Sequence, residues 1–232
     1  MYKRLYMNNH NWEFLSYQLS DALSAYRNGE RIHIKQESSI EEGDSFNQSI
    51  FCANLHFGTH VDYPYHFIND GAKSSDYDIS FYVLNTIKLV VVESFCEPHL
   101  VSVEDLVFLL SNTPSNIECL IIKTGLCAHR YEDLYWNDNI GINKGVANYC
   151  KSLFPNIKFI GFDCMSISSV HNRILGRKVH REFFKNNILP IEDMDLNCLV
   201  SSSIIEQMII SPYRIKNVEA LPVTVFAKIL QK

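Results

Sequence analysis

Paired cysteines, basic runs, long apolar stretches and flexible linkers are all missing from this chain, and each absence narrows what it can be. The seven cysteines are odd in number and lie from Cys52 to Cys198 without a C-x-x-C pair. That spacing argues against a disulfide framework and against a cysteine zinc site, so they read as buried thiols of a reducing compartment. Acidic residues outnumber basic ones 26 to 21, the formal net charge is −5 and the isoelectric point is about 6.0. With no stripe of Lys and Arg, neither nucleic acid nor an anionic membrane is expected as a partner, which leaves a small molecule or another protein. The longest apolar run, residues 87–95, is interrupted by Lys88 and Glu93 and is far too short to span a bilayer. The first twenty residues lack the apolar core and cleavage site of a secretory signal. A cytoplasmic, soluble protein is the expectation.

What is present is one chain's worth of core. At 232 residues and 47% hydrophobic content, without repeats or Gly/Ser/Pro linkers, the sequence predicts a single domain over residues 1–232. The first third is β-rich, with RIHIKQ and SIFCANLHF flanking the turn-forming EEGDSFNQ. Strand-type runs then alternate with helical ones. TIKLVVVESF, IECLIIKTG and IKFIGFD read as buried strands, and SVEDLVFLL as a helix capped by Ser102, with Asp105 at capping-box spacing. NKGVANYCKSLF and VHREFFKNN read as further helices, and SSIIEQMII and LPVTVFAKIL as closing strands. The expected class is α/β with a mixed sheet.

The stretch HFGTHVDYPYHF, from His56 to Phe67, puts three histidines and an aspartate within eleven positions. A helix would align His56 with His60 as in H-E-x-x-H, but Phe57 replaces the glutamate, and Gly58, Thr59, Val61 and Pro64 oppose a helix. An extended chain gathers His56, His60, Asp62 and His66 on one side. A straight strand would nonetheless separate the first two Cα atoms by roughly 13 to 14 Å, too far for one ion bound at about 2.0 to 2.1 Å. Convergence therefore requires a bend, and Gly58 is where the sequence permits one. Scattered core or surface histidines are the competing reading.

The same stretch resembles the H-x-G-T-H-x-D-x-P-x-H-F signature of the metal-dependent cyclase and kynurenine formamidase family. Downstream, KTG at Lys123–Gly125, GFDCMSIS at Gly161–Ser168 and HREFFKNNILPIE at His180–Glu192 are similar to that family's later segments and come in the same order. The resemblance covers nearly the whole chain from about Leu15. It implies a swivelling β/β/α fold and a homodimer or homotetramer. It also implies that His56, His60 and Asp62 ligate one divalent ion, with Asp62 bridging to a second held by His180 and Glu192. Such His/carboxylate sets suit Zn²⁺ first and Mn²⁺ second.

The implied reaction is attack of metal-activated water on a small amide, formamide, lactam or ester carbonyl, with Asp62 and His66 as the catalytic pair and His66 moving the proton. Thr59, Asp163 and Ser166 are placed behind the ligands, where they orient them; for Asp163 and Ser166 a strand end or helix cap is the alternative. A ring-closing or dehydrating cyclase and a non-catalytic metal protein are the rival readings. Two departures bear on the substrate. LSAYRNGE, with Tyr26–Gly29, replaces the family's proline-rich turn, and Ser168 stands where aspartate is frequent. The aromatics Trp12, Phe57, Tyr63, Tyr65 and Phe67 are candidates for lining a pocket. His10, His33, His99, His129 and His171 show no ligand-like spacing.

Overall fold

The computed structural model describes residues 12–20, 23, 32–92, 100–137, 141–169 and 172–230. Tyr26–Gly29, His10, His99, His171 and Cys96 lie outside them, as does most of the N-terminal segment. Eleven strands are found among the described residues: β1 (Trp12–Phe14), β2 (His33–Ser38), β3 (Gln48–Cys52), β4 (His60–Asp62), β5 (Val83–Leu84), β6 (Ile87–Val91), β7 (Cys119–Lys123), β8 (Phe159–Phe162), β9 (Leu189–Glu192), β10 (Ile204–Pro212) and β11 (Ala220–Leu230). The α-helices are α1 (Val103–Leu110), α2 (Asp133–Asn137), α3 (Gly145–Leu153) and α4 (Arg173–Lys185).

Nine strands form one mixed sheet in the order β5-β10-β11-β4-β9-β8-β7-β6, with β1 also paired to β11. Its two halves differ in kind. β6, β7, β8 and β9 run parallel, joined through helices, whereas β4, β11, β10 and β5 are antiparallel neighbours. The parallel half explains the continuous apolar runs, because helices cover one face and the rest of the sheet the other. In β7, Leu120 and Ile122 pack under α1, α3 and α4 with Leu106, Ala147 and Val179. Cys119 and Ile121 point the other way, into a core with Ile191, Met208 and Val225.

The helix at 103–110 starts as the sequence predicts: Asp105 Oδ2 accepts from the Ser102 backbone N–H at 2.7 Å, completing a capping box. Two elements differ from expectation. The third described helix-to-strand segment yields a strand, β9, that the sequence reading does not anticipate, because Pro190 sits inside it and an interior proline argues against a strand. α4 begins at Arg173, six residues before the expected helical run. Asn172 caps it, its side chain accepting from Leu175 N–H at 3.0 Å. Gly176 masks the start because glycine weakens a helix by about 1 kcal/mol relative to alanine. Contact demands it: a Cβ there would lie 1.7 Å from Ser168 Oγ and 2.7 Å from its Cβ.

Candidate metal centre

The site forms where the two halves of the sheet meet. β4 pairs antiparallel with β9, and His60 stands directly opposite Glu192. Facing residues of an antiparallel pair project from the same side, so the register brings imidazole and carboxylate together. Asp62 follows on the same face of β4, opposite Ala220 of β11. α4 crosses this seam and delivers His180 from its buried side.

The expected bend is present. β4 begins only at His60, and Gly58 has φ +67°, a left-handed conformation that favours glycine. A Cβ at this position would also approach Leu19 Cδ2 to 2.6 Å. The turn carries His56 back so that its ring lies 5.1 Å from that of His60 and its Nδ1 stands 3.0 Å from Asp62 Oδ1. After β4 a short 3₁₀ turn, Pro64–His66, folds His66 over the cluster, its ring 4.4 Å from His56 and 6.0 Å from His180. The convergence thus comes from two turns around a three-residue strand rather than from one extended face.

The inner histidines are aimed. His60 Nδ1 bonds the Gly58 carbonyl at 2.9 Å and His180 Nδ1 bonds the Gly176 carbonyl at 2.9 Å, so each presents Nε2 to the centre. His60 Nε2 lies 3.3 Å from Glu192 Oε2 and 3.5 Å from Asp62 Oδ1. His180 Nε2 lies 3.3 Å from Glu192 Oε1 and 3.4 Å from Asp62 Oδ2. All four of these side chains are buried. His60 Nε2 and Asp62 Oδ1 nevertheless make no hydrogen bond of acceptable geometry, although His56 and His60 stand within ion-pair distance of that oxygen.

Unsatisfied buried polar atoms are costly unless something else completes them. A divalent cation fits: it uses the lone pairs that the fixed Nδ1 bonds leave on Nε2, and it offsets two carboxylates in a buried site. Two overlapping triads, His56/Asp62/His66 and His60/Asp62/Glu192, offer ligand atoms within 4.8 Å of one another, with Asp62 common to both. His56, His60, Asp62, His180 and Glu192 therefore meet as the sequence expects, and His66 stands among them at ligand range. His56 Nε2 additionally approaches Glu219 Oε1 at 3.7 Å, a neighbour that the sequence does not single out.

The residues behind the cluster divide. Ser166 Oγ donates to Glu192 Oε1 at 3.1 Å, and the Ile167 N–H donates to the same oxygen at 2.8 Å. Thr59 Oγ1 donates to the Asp193 carbonyl, tying the residue before His60 to the residue after Glu192. Asp163 does not reach the ligands; its carboxylate accepts from Thr124 N–H and Oγ1 and from Gly125 N–H, each at 2.8 Å. It anchors the turn after β7, the strand-end alternative. Of the five aromatics, Phe67 alone lines the cavity, its ring 4.5 Å from His180. Trp12 packs on Phe226, Phe57 lies in a small core with Leu23 and Ile32, buried Tyr63 bonds Tyr82, and Tyr65 stacks under Lys73. His33 and His129 are away from the site, His129 paired with Glu132.

Electrostatics in the metal-free protein follow from this packing. Burial opposes charge on His60 and His180, but the close carboxylates of Glu192 and Asp62 win, raising them to about 9 and about 10. Burial likewise opposes ionisation of the two carboxylates, and the histidines overcome it: Glu192 falls to about 2 and Asp62 well below the usual range. Protons thus occupy the places a cation would take. The raised histidines stabilise the metal-free fold fully below about pH 6.5, and this contribution is lost as pH rises through 9 to 10. The thermal midpoint of chelator-treated protein should fall over that interval. Loading Zn²⁺ should abolish the trend and release protons, measurable by calorimetry in buffers of different ionisation enthalpy. A flat profile without proton release contradicts this arrangement.

A second buried constellation supports the first. Arg130 grips Asp193 in a two-point pair, Nε to Oδ1 at 2.7 Å and Nη2 to Oδ2 at 2.8 Å, and Tyr135 OH donates to Oδ1. The guanidinium lies 4.2 Å from the Trp136 ring centre, with Tyr17 and Tyr135 farther out. Asp193 takes φ +53°, the turn that ends β9 just past Glu192. No sequence spacing predicts this pair.

A mixed sheet whose parallel and antiparallel halves meet at a buried His/Asp/Glu cluster able to hold a metal ion defines the class: an α/β protein with a candidate metal centre. Residues 14–169, more than half of the chain, match the Cyclase family model, described as "Putative cyclase", and the chain belongs to that family. A kynurenine formamidase of Bacillus cereus is 24% identical over 219 residues, covering 94% of this chain and 97% of the relative. One from Bacillus anthracis is 25% identical over 221 residues with the same coverage. Among solved structures, isatin hydrolase A from Labrenzia aggregata superposes with a TM-score of 0.77 at 14% identity, covering 95% of this chain and 94% of its own. That likeness concerns the fold, which is the cyclase-type α/β fold the sequence resemblance implies.

Proposed function

We propose that the chain is a metal-dependent hydrolase of non-peptide C–N bonds in small molecules, such as aryl formamides or lactams. The observation that carries this is the buried cluster itself, with orphaned His60 Nε2 and Asp62 Oδ1 in residues that line a cavity of about 420 Å³. The family relatives, named as formamidases, support the same reaction class. His56, His60, Asp62, His180 and Glu192 would hold one or two divalent ions, Zn²⁺ by preference for the imidazole-rich set, or Mn²⁺. When bound, such a cation supplies Lewis acidity toward water and toward a carbonyl oxygen.

The protein's own groups do the rest. Burial, with His56 and His180, outweighs the nearby carboxylates and lowers the pKa of His66, which favours its neutral form. A neutral imidazole at the cavity can take the proton of the attacking water and return it to the leaving nitrogen. Asp62 keeps its charge and orients the attacking group, and Ser166 with the Ile167 N–H fixes Glu192. Phe67 and Met165 give the cavity an apolar wall for a flat ring.

Replacing His66 with glutamine should leave metal content intact and lower kcat by 10²- to 10⁴-fold, the usual range for a proton-transfer group. Metal analysis beside turnover of formanilide checks this. Loss of metal in the variant reassigns His66 as a ligand, which its triad with His56 and Asp62 allows.

A single domain over residues 1–232, a cytoplasmic location and a homodimer or homotetramer complete the proposal. The hairpin of β2 and β3 supports the last, since a lone two-stranded sheet is marginal in water, and this one exposes Ile34, Ile50 and Phe51. A monomeric mass by light scattering would remove that part. Among the described residues no helix is long and apolar enough to cross a membrane.

A further inference from the structure

We infer that Arg173 and Arg177 form a carboxylate-recognising pair at the mouth of the metal pocket, making the preferred substrate an aryl amide that bears an acidic group. The inference rests on the hydrolase reading above and adds the substrate class to it. Arg173, Arg177 and His180 fall at i, i+4 and i+7 of α4, one stripe of a helix. The stripe that aims His180 into the cluster therefore carries both guanidiniums along the same cavity, which they line together with His56, Asp62 and Glu192.

Helical rise puts Arg177 about 4.5 Å and Arg173 about 10.5 Å from His180 along the axis. An acid on the ring of an aryl amide lies within reach of one or both when the amide carbonyl is at the centre.

Arg173 and Arg177 are both exposed and make no ion pair or hydrogen bond with any described residue, so two uncommitted guanidiniums line the site cavity. In a chain of net charge −5, two uncommitted cations at one pocket mouth are a local reversal of sign. The two site carboxylates do not neutralise them once a cation is bound, because Asp62 and Glu192 are then its ligands. Guanidinium presents paired N–H donors in the geometry of a carboxylate, and such charge-assisted bonds are about twice as strong as neutral ones. Phe67 and Met165 line the same cavity and give the ring an apolar surface.

The test compares formanilide with N-formylanthranilate, the same bond without and with an ortho-carboxylate, using Zn²⁺-loaded wild type and R173Q/R177Q. The double variant should lose about 10- to 100-fold in kcat/KM on the acid, chiefly through KM, and far less on formanilide. R173K/R177K, which keeps charge but not the fork, should recover part of the loss. Equal losses on both substrates, or none on the acid, overturn the inference. If metal-loaded wild type hydrolyses neither compound, the hydrolase reading fails by itself and calorimetric titration with anthranilate decides the pair. Binding that weakens at least tenfold in R173Q/R177Q upholds it, and absent or unaltered binding overturns it.

Discussion

Replacing Asp62 with alanine should abolish metal retention and amide hydrolysis together. Asp62 is buried beside three histidines, with Nδ1 of His56 at 3.0 Å and Nε2 of His60 and His180 at 3.5 and 3.4 Å. It is also the one residue common to both ligand triads. Its loss removes an oxygen donor from each and leaves a site with one carboxylate among the histidines. Groups behind a ligand typically contribute 10- to 100-fold to metal affinity or activity, so loss of the shared ligand should exceed that range. Metal content after dialysis and turnover of formanilide are the readouts. Full activity in a metal-free D62A protein would eliminate the assignment. Ser166→Ala, which removes a single bond to Glu192, should fall within the 10- to 100-fold range and serves as the internal scale.

The second large effect concerns stability. Arg130 is 1% exposed and its partner Asp193 is buried with it. A buried pair contributes little relative to a well-packed apolar replacement, but removing one partner strands the other charge, at about 3–5 kcal/mol. Arg130→Met should therefore destabilise by about that much in urea denaturation, and the double variant R130M/D193L by less than R130M alone. The damage should spread to the centre, since Asp193 follows Glu192 and its carbonyl accepts from Thr59 beside His60. Weakened metal retention in R130M is the accompanying sign. An R130M protein as stable as wild type would show that the pair is not what holds this turn.

The two large effects lie at opposite ends of what the sequence reveals. His56, His60, Asp62 and His66 were legible because one short stretch holds them, and distance alone demanded the bend at Gly58 that its φ of +67° shows. His180 and Glu192 were legible only through the family resemblance, since local spacing says nothing of a contact between β4, β9 and α4. Arg130 and Asp193 were not legible, being 63 residues apart and joined only by the fold. The strand carrying Glu192 was hidden by Pro190, whose missing N–H counts against a central strand by rule yet is accommodated here between β8 and β4. The first turns of α4 were hidden by Gly176, which packing against Ser168 requires. That concealed the arginine stripe as well, because the i, i+4 relation of Arg173 and Arg177 has meaning only on a helix. Asp163 was placed by the sequence near the site, and the structure gives it the turn at Thr124–Cys127 instead.

The most direct measurement of the central claim is an anomalous-difference map from crystals grown with Zn²⁺ or Mn²⁺ and recorded at the metal edge. The account predicts a peak among His60 Nε2, Asp62 and Glu192, with an open coordination position facing the cavity lined by Phe67 and Arg177. No peak there at saturating metal, or a cation enclosed by four protein ligands with no open position, would contradict it.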